Sequence, residues 1–139
     1  MTTTVRAAAF AAAAAFAIAA CGGSSSTSST TGPSSPTTAP ADAVAATTIT
    51  IANGVVSPKN IRVTRGTQVT FINNDSQPHN MTSDPHPEHT DCPEINSVGV
   101  INVGQTKRTD NMITNRAVCG FHDHDRPDAA GLQGSISIQ

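Results

Sequence analysis

The sequence predicts an all-β Greek-key sandwich of about seven to eight short strands, and three observations carry that prediction. Apolar and polar residues alternate over short runs, each stopped by turn-forming residues. No amphipathic helix of useful length and no internal repeat is present. The part able to fold, about Thr47 to Gln139, has some 93 residues, enough for one domain with one core.

The elements follow in chain order. Thr48-Ile49-Thr50-Ile51 alternates and stops at the turn pair Asn53-Gly54. Ile61-Arg62-Val63-Thr64 alternates and stops at Arg65-Gly66. Thr67 to Asn73 sets Val69 and Phe71 on one face, and Asn74 to Pro78 forms a polar corner. Residues 98–114 predict two short strands around Gly104, and Ala117 to Asp123 predicts another. Gly134 to Ile138 is the last, with its isoleucines on one face.

Two segments precede the folded part. Residues 1–20 read as a signal peptide: Arg6 supplies the charge, and an apolar stretch from Ala7 to Ala20 follows. At about 14 residues that stretch is too short to span a bilayer as a helix, which needs roughly 20. Ile18-Ala19-Ala20-Cys21 resembles a bacterial lipobox, so Cys21 is the expected lipidation site. Residues 21–46 are rich in Ser, Thr, Gly and Pro, a composition that cannot offset its ordering entropy and predicts a flexible linker. The expected location is the cell envelope, with the protein held to a membrane through its lipid anchor. Without Arg6 the chain keeps 7 basic and 10 acidic residues. No basic run offers a footprint for nucleic acid, and with no Trp or Tyr a stacking platform for bases or sugars is not expected. Export places Cys92 and Cys119 in an oxidising compartment, where they can pair.

All five histidines fall in two windows, His79, His86 and His89, then His122 and His124. Neutral imidazole is a common transition-metal ligand, and two separate segments can close one site once the chain folds.

The run Val69 to Asn73, with Asp75 and Pro78-His79-Asn80 after it, resembles the amicyanin and plastocyanin group of cupredoxins. Ser57 to Val63 with Gly66 is similar to the family's opening strands, and Leu132 to Ile138 to its last strand. The resemblance implies a cupredoxin-like sandwich with copper as its cofactor and His79 as the first copper ligand. The family's second ligand loop supplies a cysteine thiolate and a histidine, and here two registers stay open. Cys119-Gly120-Phe121-His122 has the family's Cys-x-x-His form, but it leaves Leu132, at the axial position, thirteen residues on. The other register makes Ala117 to Asp123 the family's strand, puts Asp123 where the thiolate should be, and frees Cys119 to pair with Cys92. That register is preferred. The copper donors expected from it are His79, His122 and His124 with one histidine from the loop Asp84 to His89, taken as His86 with His89 as the alternative. Strand alternation opposes His122 and His124 to Asp123, and Leu132 offers no donor in either register.

The expected function is a copper-binding exported lipoprotein that is not an enzyme. It would hold or deliver copper or carry electrons, with a redox or copper-delivery protein as partner. A metal-free sandwich that binds another protein is the alternative. His122-Asp123-His124 superficially resembles the His-x-His of copper–zinc superoxide dismutase, but the zinc loop and guiding arginine of that enzyme have no matching frame here.

Overall fold

A computed structural model describes residues 38–139. The signal peptide, Cys21 and most of the expected linker lie outside the described residues.

Ten strands form: β1 (Val44–Ala45), β2 (Thr48–Ala52), β3 (Val55–Ser57), β4 (Asn60–Val63), β5 (Thr70–Asn73), β6 (His79–Ser83), β7 (Gly99–Ile101), β8 (Thr106–Arg108), β9 (Val118–Asp123) and β10 (Gly134–Ile138). One helical turn, α1 (Pro93–Asn96), and a 3-10 turn at Ala130–Leu132 complete the described elements. The larger sheet runs β1-β4-β10-β9-β6-β7 and the smaller β3-β2-β5-β8. Strand β4 pairs parallel with β10, as β2 does with β5, while β9 runs antiparallel to both β10 and β6.

The seven strands expected from alternation are all present, and three more join them. Strand β3 closes a hairpin on β2 through Asn53 and Gly54, at φ 52° and 72°, the positive values that a two-residue turn requires. Strand β6 carries only one apolar residue, Met81, because its other inward positions are His79 and Ser83, so it gives no apolar alternation. Strand β1 corrects the linker boundary: Val44 and Ala45 pair with Ile61 and Arg62, and Ala43 is buried. The fold therefore starts a few residues before Thr47. Both β1 side chains are exposed, and backbone pairing of that kind leaves no mark on composition.

The inner faces meet in one core. Ile49, Ile51, Val56 and Phe71 of the smaller sheet pack against Ile61, Met81, Ile101, Phe121 and Ile136 of the larger. Phe71 and Phe121 touch edge to face at 5.3 Å between ring centroids, a favoured aromatic geometry. Strand β9 differs from the rest because all six of its residues are buried. Its inner face lies in the core, and its outer face is covered by the segment from Asp84 to Asp91.

Candidate metal centre

The centre is built on the outer face of β6 and β9. The register sets Thr82 opposite His122 and Ser83 opposite Phe121. Phe121 points into the core, so His122 points out of the sheet. It is nevertheless only 3% exposed, because the segment after β6 folds back over it. Asp84 begins that segment and donates its backbone N–H to the Gly120 carbonyl at 3.1 Å. Gly120 leaves room for the Asp84 carboxylate: a Cβ there would stand 2.0 Å from its Oδ2. The segment ends at Asp91, which is ion-paired to Arg116, and at Cys92.

The hydrogen-bond partners assign the imidazole nitrogens. His122 Nδ1 lies 2.7 Å from Asp84 Oδ1; a carboxylate only accepts, so Nδ1 holds the proton and Nε2 keeps its lone pair. That Nε2 is buried and has no hydrogen-bond partner among the described residues. His89 donates from Nδ1 to the Ser83 carbonyl at 2.8 Å, so its Nε2 carries the lone pair. The His124 Nδ1 that faces it at 2.9 Å belongs to a half-buried imidazole, and a metal ion would take that hydrogen bond's place. The His89 backbone is held at φ 54° by its N–H bond to the Pro85 carbonyl and by Asn96 Nδ2 on its own carbonyl. His86 stands exposed at the rim, with ring centroids 5.5 Å from His89 and His122 and 5.1 Å from His124. One ring nitrogen each from His86, His89 and His122 lie within 4.8 Å of one another. A cleft of about 690 Å³ opens beside the cluster, lined in part by Lys59, Asp84, His86 and His122.

The sequence-derived donors separate accordingly. His86, His122 and His124 come together, and His89 joins them rather than substituting for His86. His79 does not join them. It lies on the inner face of β6, fully buried, while His122 lies on the outer face of the same sheet. Its Nδ1 is 2.9 Å from Asp123 Oδ2 and its Nε2 is 3.3 Å from Asp75 Oδ2. The expectation of His79 in one site with His122 and His124 therefore fails, because the β6–β9 register and strand alternation put His79 on the inner face and His122 on the outer one. Sequence reasoning also missed Asp84, whose only signal was its place at the head of the histidine loop, and Arg126.

Cys92 and Cys119 form a disulfide, with Cα atoms 5.8 Å apart. Cys119 is therefore no thiolate donor, which agrees with its pairing to Cys92 in the preferred register. Asp75 sits in the polar corner, where the Gly54 and Ser76 backbone N–H groups donate to its carboxylate and hold its pKa below the usual value. Burial opposes that shift, and contact with His79 adds to it.

A model of the copper binding proteins of the plastocyanin/azurin family matches residues 43–137. The chain belongs to that family. Cupredoxins bind copper and are in general electron-transfer proteins rather than enzymes. Oxidised plastocyanin from the fern Dryopteris crassirhizoma is similar in fold, at 14% identity over 66% of this chain and 99% of that one, with a TM-score of 0.51. A copper(I) mutant of amicyanin is similar at 19% identity over 77% of this chain and 95% of that one, also with a TM-score of 0.51. A purple cupredoxin from Nitrosopumilus maritimus has 23% identity over 68% of this chain and 100% of that one, with a TM-score of 0.48. Among curated proteins, none matches the chain significantly.

In this cupredoxin two places can be tested against copper. The histidine cluster fits it, because His122 presents a buried nitrogen that no other group among the described residues satisfies and imidazole suits copper. The inner position does not. The Asp123 carboxylate there already faces His79 and accepts from Arg126 and from the backbone N–H of Asn80.

Proposed function

We propose that this chain is an exported, lipid-anchored cupredoxin that holds or delivers copper through His86, His89 and His122, with His124 as a fourth imidazole. The observation that carries the reading is the buried, unpartnered Nε2 of His122 in a trio of imidazoles whose nitrogens lie within 4.8 Å. Leaving such a polar atom without a partner costs about 1–3 kcal/mol, and a bound metal ion removes that cost. Asp84 and the Ser83 carbonyl orient His122 and His89 through their Nδ1 protons, the arrangement that fixes tautomer and raises ligand basicity at metal sites.

The donor set points to storage or delivery more than to electron carriage. A blue centre needs a thiolate beside its imidazoles, and both cysteines of the domain are consumed in the disulfide. Copper here supplies an ion held by nitrogen donors, with the exposed His86 as the side from which it arrives and leaves. Export and anchoring rest on the segment Ala7 to Ala20 and on Ile18-Ala19-Ala20-Cys21. A copper-donating or copper-accepting protein is the partner this reading implies.

Titration of the metal-free protein with copper tests it. One copper should bind per chain, the copper(II) form should give only a weak, pale spectrum, and His122→Ala should lower affinity at least ten-fold. An intense blue band, or no stoichiometric uptake, would refute the assignment.

A further inference from the structure

The end of β9 carries an ionic network on the face opposite the histidine cluster. Asp123 is fully buried; its Oδ2 lies 2.9 Å from His79 Nδ1 and accepts from Arg126 Nε at 3.1 Å. Its Oδ1 accepts the backbone N–H groups of Asn80 at 3.1 Å and Asp125 at 3.2 Å. The Arg126 guanidinium spreads further, to Gln77 Oε1 at 3.2 Å and to the Pro78 carbonyl at 3.0 Å. Its Nη2 also stands 3.1 Å from His79 Nδ1. Two proton placements satisfy these contacts: either His79 Nδ1 donates to Asp123, or it accepts from Arg126. In both, Nδ1 has no lone pair left for a metal. Asp75 stands at the other ring nitrogen, Nε2.

We propose that Asp75, His79, Asp123 and Arg126 form a metal-free clamp at the position where the family's ligand pattern would put copper, and that the clamp positions His122 for the cluster on the other face. The pattern is legible in the spacing. A cysteine followed three residues later by a histidine is replaced by Asp123 and Arg126, an anion and a cation that attract each other rather than an ion. The positioning half rests on the copper reading of the cluster. It follows from the backbone: Asp123 Oδ1 holds the Asn80 N–H, and His124 N–H returns to the Asn80 carbonyl at 2.7 Å. The end of β9 is thereby stitched to the start of β6 on both sides of Asp123, and His122 is the residue directly before it. Arg126 acts from its other side, bridging Asp123 to the corner at Gln77 and Pro78.

Imidazole nitrogen NMR of the full chain tests both halves. On addition of copper(I), the ring nitrogens of His122 and His89 should shift and those of His79 should not. A ligand-like shift at His79 would overturn the clamp. Silence at every imidazole would instead overturn the copper reading, a separate failure that the clamp's own metal-free readout does not share. That readout is Arg126→Ala, at a half-exposed position where folding should survive. Without any copper, this variant should move the His122 ring resonances, although Arg126 makes no hydrogen bond to His122. Copper affinity should then fall about ten-fold, the scale of losses when partners of metal ligands are removed. His122 resonances unchanged in Arg126→Ala would overturn the positioning role.

Discussion

Asp84 joins two functions in one side chain: it covers Gly120 and it accepts a hydrogen bond from His122 Nδ1. Asp84→Asn keeps the shape and can still bond the ring, but no longer as an anion. It should weaken copper binding by about 10–100-fold, as read by competition with a chelator, while the melting temperature of the metal-free protein barely moves. Gly120→Ala should do the same by another route. The new methyl displaces the Asp84 carboxylate, which is partly exposed and free to swing outward, and His122 loses its orienting partner. Asp75 carries a pH dependence. Its folded pKa lies below the ordinary value of about 4, so its contribution to stability is present above that value and is lost as pH falls through the lower folded one. Urea melts across the acid range should show this loss in the wild type and a flatter profile in Asp75→Asn.

At the level of elements, apolar alternation found the strands whose inward faces are apolar and passed over those whose faces are not. Ile49 and Ile51, Ile61 and Val63, and Phe71 each announced a buried face. Strand β6 stayed silent because two of its three inward positions are polar, His79 of the clamp and Ser83, and β1 because it contributes backbone alone. The candidate site was legible in the same uneven way. The two histidine windows were visible, but pairing them required the β6–β9 register, which no local pattern encodes. Close packing makes β10 sensitive: a Cβ on Gly134 would stand 2.1 Å from the Lys59 carbonyl and 2.5 Å from the Phe121 ring. Gly134→Ala should therefore cost about 1–3 kcal/mol in chemical denaturation, the usual range for overpacking. The disulfide ties Cys92, at the start of α1, to β9 across a separation of 27 residues. Replacing both cysteines with serine should cost about 3 kcal/mol in the chain-entropy view.

For the molecule as a whole, the length available to one core, the lack of an amphipathic helix and the strand pattern pointed to the sandwich. The N-terminal reading has its own test: Cys21→Ser should move the protein from the membrane fraction to the soluble one in a bacterium that processes lipoproteins, and a wild type already soluble there would refute the anchor. One feature of the fold joins location to chemistry. The segment that supplies His86 and His89 is held down at one end by Asp84 and at the other by the disulfide. A newly made chain that still holds two thiols lacks the second fastening, so half of the imidazoles are not yet secured over β9. On the copper reading of the cluster, oxidation is expected to come before the metal. The protein would then be a poor competitor for copper inside a reducing cytoplasm and an effective one after export, with the disulfide acting as a timer on maturation. Copper affinity of the Cys92→Ser, Cys119→Ser double variant, expected to be lower than wild type although neither sulfur touches the metal, is the measurement that reads this order of events.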